Sequence, residues 1–376
     1  MAKINDKNIK LKDNQRIYFG TDNDGEIYFD GTDLQIISAS NVDIKLTPGA
    51  SAELVLDGLK FPTADGDYND LLVTDGAGQL AWGLYAGDRG VCFGGWSTTY
   101  DNTIDYITIS TLGNATDFGD CLDSSTYPAD SGSSNGISGR GVFGYSSTYP
   151  INYITIMTPG NAADFGDLSV FRLITGGASN NTNERATFMG GTGASNIIDY
   201  ITVNSTGNAI DFGDLTVTSL GGGGTSNGTN ERGILAGGEN PGVINVIGYI
   251  TISTPSNATD FGDLTISKSR LGGHSNLTNE RGIFSGKWTG AVGTDIDYIT
   301  INSTGNATDF GDLTGARGMT SGTSNGTNER GIVNGGYTGT VRLDVIDYIT
   351  INSAGNATDF GDLTVGRSSS GSTSNA

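Results

Sequence analysis

One histidine, two cysteines and half as many basic as acidic residues (20 against 41) set the first limits on this chain of 376 residues. Cys92 and Cys121 cannot define a disulfide framework and read as buried small apolar residues. With a net charge of -21, nucleic-acid binding is not expected, because a phosphate polymer would be repelled. No apolar run approaches the roughly 20 residues needed to span a bilayer, so membrane insertion is not expected. The opening MAKINDKNIKLKDNQ has no apolar signal-peptide core, and classical secretion is not indicated. Long amphipathic helical patterns are missing as well. Short runs rich in Ile, Val, Tyr, Thr and Phe alternate with Gly, Asn, Asp and Ser clusters, and 60 glycines supply many tight turns. The chain reads as all-β.

The tetrapeptide DFGD occurs six times, starting at Asp117, Asp164, Asp211, Asp260, Asp309 and Asp359, at intervals of 47, 47, 49, 49 and 50 residues. A period near 50 marks an array or a propeller, and kelch repeats have about this length. Each copy runs in one order: an Arg-Gly strand ending in glycines, then DYITI or a near copy, then GNATDFGD, then a stretch ending in TSN and TNER. In IDYITI, Ile104, Tyr106 and Thr108 share one face and Asp105, Ile107 and Ile109 the other, so both faces carry apolar groups. Sheets stacked face to face around an axis bury both, which favours a kelch-like propeller over an elongated solenoid. Glycine pairs such as Gly94-Gly95 and Gly237-Gly238 are expected at crowded positions near the axis. The first unit, RGVCFGG, lacks a preceding TSN strand, and the C-terminal VGRSSSGSTSNA supplies one. Six blades over residues 86–376, closed by the C-terminal strand, follow.

Comparison of the copies separates rigid from variable parts. The tyrosine of YIT always precedes DFGD by 11 residues, whereas the gap from the arginine of RG to that tyrosine runs from 13 (Arg140 to Tyr153) to 18 (Arg330 to Tyr348). The variable connections should project from one end of the ring, and they carry Trp96, Tyr100, Tyr145, Tyr149, Trp288, Tyr337 and Arg342, the candidate receptor- or glycan-binding residues. The constant motif reads as scaffold. Phe118, Phe165, Phe212, Phe261, Phe310 and Phe360 are expected to pack between blades, with the flanking aspartates bonding turn amides. The TNERG copies place Glu184, Glu231, Glu280 and Glu329 before Arg185, Arg232, Arg281 and Arg330, a set expected to make Glu-Arg and Arg-backbone bonds between neighbouring blades.

Residues 1–85 lack the repeat. Strand-like runs alternate there with Asp-Gly and Asn-Asp turns, and such short strands need several chains to enclose a core. Leu71, Leu72, Val73, Leu80 and Trp82 read as the arms of a hairpin leading into the first blade. The segment LKFPTADGDYNDLLVTDGAGQLAWG, Leu59 to Gly83, resembles the linker of many tailed-phage fibre and appendage proteins. IDYITINSTGNATDFGDLT, Ile296 to Thr314, resembles repeats in virion proteins of marine cyanobacterial phages. The resemblance implies a structural virion protein, a tail fibre or surface appendage at the particle surface. It implies a homotrimer, with residues 1–85 as the trimerising anchor to other virion proteins and host surface polysaccharide as the outward partner. The kelch likeness rests on the glycine pairs and on Arg172, Arg270, Arg317 and Arg367. The outer-strand tryptophan usual in kelch is replaced by the phenylalanine of DFGD, and the first unit departs further with CLDSSTYPAD.

Other chemistry is weakly signalled. A protein-kinase DFG needs a glycine-rich loop, an HRD and a paired lysine, none of which is present. Repeated D-x-x-D offers two ligands, short of the six to eight oxygens a calcium ion takes. Gly221 to Gly224 is not followed by Lys-Ser/Thr and reads as strand or turn rather than phosphate cradle. Copper oxidases built on kelch propellers need histidine ligands, and His274 stands alone. No distinct acid pair suggests glycoside hydrolysis. The expectation is a noncatalytic attachment protein without metal or cofactor. The alternatives are a decoration protein without a receptor and a polysaccharide-degrading spike.

Overall fold

The computed structural model describes seven strands in the first 83 residues, and residues 87–376 except 123–131, 137–138, 145–150, 173–175 and 194. The chain divides into two units, 1–83 and 84–376. In the first, Arg16–Phe19, Gly25–Phe29 and Leu34–Ser38 form a three-stranded antiparallel sheet, and Val55–Leu56 pairs with Leu59–Lys60. The strands Leu71–Thr74 and Leu80–Gly83 form the expected hairpin, with Leu72 opposite Trp82.

The second unit is a six-bladed β-propeller, each blade a four-stranded antiparallel sheet. Blade 5 runs from the axis outward through Gly272–Ser275, Arg281–Ser285, Asp295–Thr300 and Thr308–Asp312. Blade 1 is assembled from both ends of the unit. Arg89–Trp96, Tyr100–Thr108 and Thr116–Asp120 are joined on the inside by Gly371–Ser374, with Gly371 opposite Phe93 and Ser374 opposite Gly90. This pairing leaves blade 1 no bare inner edge and ties the ring shut.

The six inner strands lie side by side around the axis, and glycine lets them approach. A Cβ on Gly273 would sit 2.2 Å from the Gly224 carbonyl oxygen, and one on Gly224 2.5 Å from the Gly177 nitrogen. Gly132, Gly177, Gly224, Gly273 and Gly322 occupy this place in five blades, and Ser372 in the sixth. The pairs Gly94-Gly95 and Gly237-Gly238, expected at the axis, instead end second strands. There they face the segment that returns the chain to the centre, and a Cβ on Gly237 would meet the Lys268 carbonyl at 2.3 Å. The axial cavity is about 80 Å³. It has room for waters.

DFGD is the outermost strand, where it meets the next blade. Its phenylalanines are buried, each edge-on to the YIT tyrosine of its own blade, as in Tyr298 and Phe310 with centroids 6.1 Å apart. Ile283, Ile296, Phe310 and Leu313 of blade 5 share one apolar cluster with Val333, Ile349 and Ile351 of blade 6. The DFGD glycine is left-handed in every copy (φ 142–150°), and a Cβ on Gly311 would lie 2.5 Å from the Gly355 carbonyl of the next blade. The flanking aspartates do not bond turn amides as expected. The first of each pair is exposed, and the bond runs the other way: the Asp312 amide donates to Asn356 Oδ1 (3.1 Å), the asparagine of the neighbouring GNAT. The Asp362 amide donates to Asn114 Oδ1 (3.1 Å), so the same clasp spans the closure from blade 6 to blade 1.

Each Arg-Gly arginine lies over its blade's tyrosine, 4.4 to 4.7 Å from the ring centre, and donates to a carbonyl of the next blade. Arg281 Nη1 donates to the Ile351 carbonyl (2.9 Å), and Arg330 Nη1 to that of Ile109 (2.9 Å), again across the closure. The expected Glu-Arg bonds are absent among the described residues. Glu231, Glu280 and Glu329 accept instead from asparagine side chains of the preceding blade, as Glu280 does from Asn227 (2.9 Å) and Glu329 from Asn276 (3.0 Å), while Glu184 accepts from Asn204 of its own blade. An asparagine amide reaches the carboxylate without the desolvation a second buried charge would add.

Buried ion pairs pin the entry to four blades: Arg172–Asp199 (2.8 Å), Lys268–Asp297 (3.2 Å), Arg317–Asp347 (2.8 Å) and Arg367–Asp105 (2.9 Å). Each aspartate also accepts from the turn after the preceding DFGD, as Asp105 does from Thr364 Oγ1 (2.6 Å) and N (3.1 Å). Burial lowers the Lys268 pKa while Asp297 beside it opposes the shift. Arg270, grouped with Arg172, Arg317 and Arg367 in the kelch likeness, does not belong with them. Lys268 holds the buried place, and Arg270 sits two residues on, left-handed and partly exposed.

Candidate functional site

The connection from second to third strand varies in length because it leaves the sheet once the blade is locked. Seven residues after each Arg-Gly arginine the chain reaches Trp96, Thr192, Glu239, Trp288 and Tyr337 in blades 1, 3, 4, 5 and 6. The backbone at this step is anchored to the segment entering the same blade. Trp96 and Ser368 exchange two amide bonds (2.9 and 3.0 Å), the Trp288 amide donates to the Ser269 carbonyl (3.0 Å), and that of Tyr337 to Gly318 (2.8 Å). The aromatic side chains therefore stand on fixed backbone rather than on loop tips.

Ring closure brings blades 5, 6 and 1 into succession, so residues 241 positions apart in the chain, Trp96 and Tyr337, become part of one strip. Trp288 and Tyr337 have centroids 6.1 Å apart with planes at 40°, and Trp96 and Tyr100 meet edge-on at 4.5 Å. Between them lies Arg342, its guanidinium carbon 5.2 Å from the Tyr337 ring centre and 5.5 Å from that of Trp96. All five side chains are half-buried. The Tyr337 hydroxyl donates to the Gly339 carbonyl (2.7 Å), which fixes its ring. Five of the seven candidate residues thus gather in one place, while Tyr145 and Tyr149 lie outside the described residues.

Glu239, the blade 4 counterpart of the aromatic residues, was not among the candidates. It accepts from Ser269 Oγ (3.0 Å) and faces Arg270 Nε (3.5 Å), beside the bridge from Ser269 to Trp288. Counting seven residues from each arginine would have found it.

The strip offers stacking surfaces with polar edges, an arrangement suited to the apolar faces and hydroxyl rims of sugars. The two cysteines and the histidine lie elsewhere and are buried. Burial pushes the Cys121 thiol far up, and Cys92 is buried and unpaired by disulfide. His274 is buried on the inner strand of blade 5 and burial lowers its pKa to about 3. Among the described residues no three His, Cys, Asp or Glu side chains gather to hold a metal ion.

No family model matches the chain, and no curated protein does. Among solved structures it is similar to a chain in the crystal structure of a nidogen/laminin complex, with a TM-score of 0.55 and 8% sequence identity, covering 77% of this chain and 98% of that one. At that identity the likeness speaks for the propeller fold alone.

Proposed function

We propose that this chain is a noncatalytic appendage or tail-fibre protein of a tailed-phage virion, whose propeller attaches to host surface glycans. The observation that carries the attachment reading is the strip Tyr100, Trp96, Arg342, Tyr337 and Trp288, half-exposed on a rigid framework. The virion reading is supported by the resemblance of Leu59 to Gly83 to phage appendage linkers and of the six long units to cyanophage virion repeats. In this reading residues 1–85 trimerise, join the other virion proteins, and present three kelch-like heads per fibre. Several weak sugar contacts held together then add up to firm adhesion, since later contacts form at high effective concentration.

The test is binding of the full chain to host cells and to their extracted polysaccharide, with Trp96, Trp288 and Tyr337 changed together to alanine. Truncating a central aromatic contact costs roughly 2 kcal/mol, so the triple variant should lose about a hundredfold or more in affinity. Undiminished binding by the variant would overturn the site. A wild-type chain that binds nothing would favour the decoration protein, and release of reducing ends a degrading spike.

A further inference from the structure

We infer that the strip selects sugars carrying a carboxylate, with Arg342 as its anion partner; this rests on the glycan-attachment reading above. Residues 84–376 contain 13 lysines and arginines. Twelve are already committed. Arg89, Arg140, Arg185, Arg232, Arg281 and Arg330 donate to carbonyls of the next blade. Arg172, Lys268, Arg317 and Arg367 hold buried aspartates. Arg270 faces Glu239, and Lys287 faces Asp295. Arg342 alone among the described cations of the propeller has neither a carboxylate within 4 Å nor a hydrogen bond, and its Nε is buried without a partner.

Tyr337 and Trp96 attract this guanidinium through their π faces, yet a π face leaves its N–H fork unsatisfied. A planar carboxylate satisfies such a fork with two parallel, charge-assisted bonds, which lysine could not reproduce. A uronate lying on either ring brings its carboxylate within reach of a guanidinium 5.2 to 5.5 Å from the ring centres. The nearest acidic residue along the chain, Asp344, is exposed and in no ion pair with Arg342. The net charge of -21 repels polyanions at long range, but at physiological ionic strength the field decays within about 8 Å, so contact chemistry decides. Arg342 also sits in the longest of the variable connections, with 18 residues from Arg330 to Tyr348.

The experiment titrates the full chain with hexamers of galacturonate, glucuronate and mannuronate, and with the same hexamers after reduction of their carboxyl groups. At least one uronate should bind. Its reduced form should bind at least about tenfold more weakly, the worth of a charge-assisted pair. Arg342→Gln should erase that difference, so that the uronate and its reduced form bind the variant alike. Equal binding of both forms, or discrimination that survives Arg342→Gln, overturns the carboxylate assignment and leaves glycan attachment standing. If no hexamer binds while host cells do so through Trp96, Trp288 and Tyr337, the carboxylate assignment falls and attachment again stands. If host cells bind regardless of those three residues, the strip is not the site and the carboxylate assignment falls with it; if the wild-type chain binds no host cells, attachment itself fails.

Discussion

Blade 1 holds Arg367 against Asp105 where blade 4 holds Ser219 and Gly248. Both members of the pair have gone together, and Ser219 Oγ donates to the Gly237 carbonyl (2.9 Å) instead. The interior changes in matched sets elsewhere too. His274 stands where other blades have Ser133, Ala178, Thr225, Thr323 and Thr373, and it lies against Gly322 and Gly331, where a Cβ would come within 2.6 Å of the ring. At the channel mouth Gly136, Gly228 and Gly326 alternate with Asn181, Leu277 and Ala376, and a Cβ on Gly326 would lie 2.7 Å from Leu277 Cδ1. On the aromatic strip no such matching appears. The seventh residue after the arginine is Trp, Glu, Trp and Tyr in blades 1, 4, 5 and 6, each on the same anchored backbone, and Thr in blade 3. Buried positions are coupled because an unmatched charge or atom has nowhere to go, and exposed positions vary singly because water accepts the remainder.

The comparison breaks hardest at the ion pair. Asp105→Ala strands the Arg367 guanidinium in a fully buried site and also removes the acceptor for Thr364. Losing one partner of a buried pair costs about 3–5 kcal/mol. Adding Arg367→Ser removes the stranded charge, so the double variant should recover a large part of that loss. Denaturant unfolding of wild type, both singles and the double measures the coupling. Additive losses would mean that the pair is not what joins these positions.

Much of this framework is legible in the sequence, since a repeat aligned with itself exposes whatever recurs. The six Phe of DFGD, the split first blade and the variable connection all follow from counting. What escapes is whatever depends on register or closure. Arg367 and Asp105 are 262 residues apart, and only the shared blade joins them. Arg270 resembles its neighbours in sequence, yet lies two residues past the buried position that Lys268 fills. The continuity of Trp288, Tyr337 and Trp96 requires knowing that blade 6 abuts blade 1 and that each residue occupies the same step past its arginine. The glutamate partners were missed because adjacency in TNER suggested Glu-Arg bonds, whereas the carboxylate turns toward the neighbouring blade's asparagines.

A smaller effect tests the second matched set through pH. Neither nitrogen of His274 meets a protein partner, and burial lowers its pKa from 6.5 to about 3. Below pH 6.5 the unfolded chain takes up a proton that the native state refuses until about pH 3. Stability from this site therefore falls as pH falls through that window. Between pH 7 and pH 5 the loss is about 2 kcal/mol, at roughly 1.36 kcal/mol per pH unit. His274→Thr copies blades 4, 6 and 1, and should lower stability at pH 7 by leaving space beside Gly331 while losing less on acidification. Carboxylates elsewhere titrate alike in both proteins, so the readout is the difference between their pH slopes. Parallel slopes would mean that the imidazole finds a partner or water in solution.

The finest distinction lies between two arginines of blade 6. Arg330 sits 4.7 Å above Tyr348 and donates to the carbonyls of Ile109 (2.9 Å) and Ser110 (2.8 Å) in blade 1. Arg342 sits 5.2 Å above Tyr337 and donates to nothing. Both have the π contact, and only one has the bonds. Arg330→Gln should cost about 1.5–3 kcal/mol, the range for hydrogen bonds from a charged group. Arg342→Gln should cost about 0.5–1 kcal/mol, the worth of an exposed cation–π contact. Thermal unfolding of the two variants beside wild type resolves the difference. Equal losses would make Arg342 a member of the framework, with its fork bound in solution to a neighbour. It would then have no free donors for a carboxylate, and the carboxylate assignment would fall before any sugar was tested.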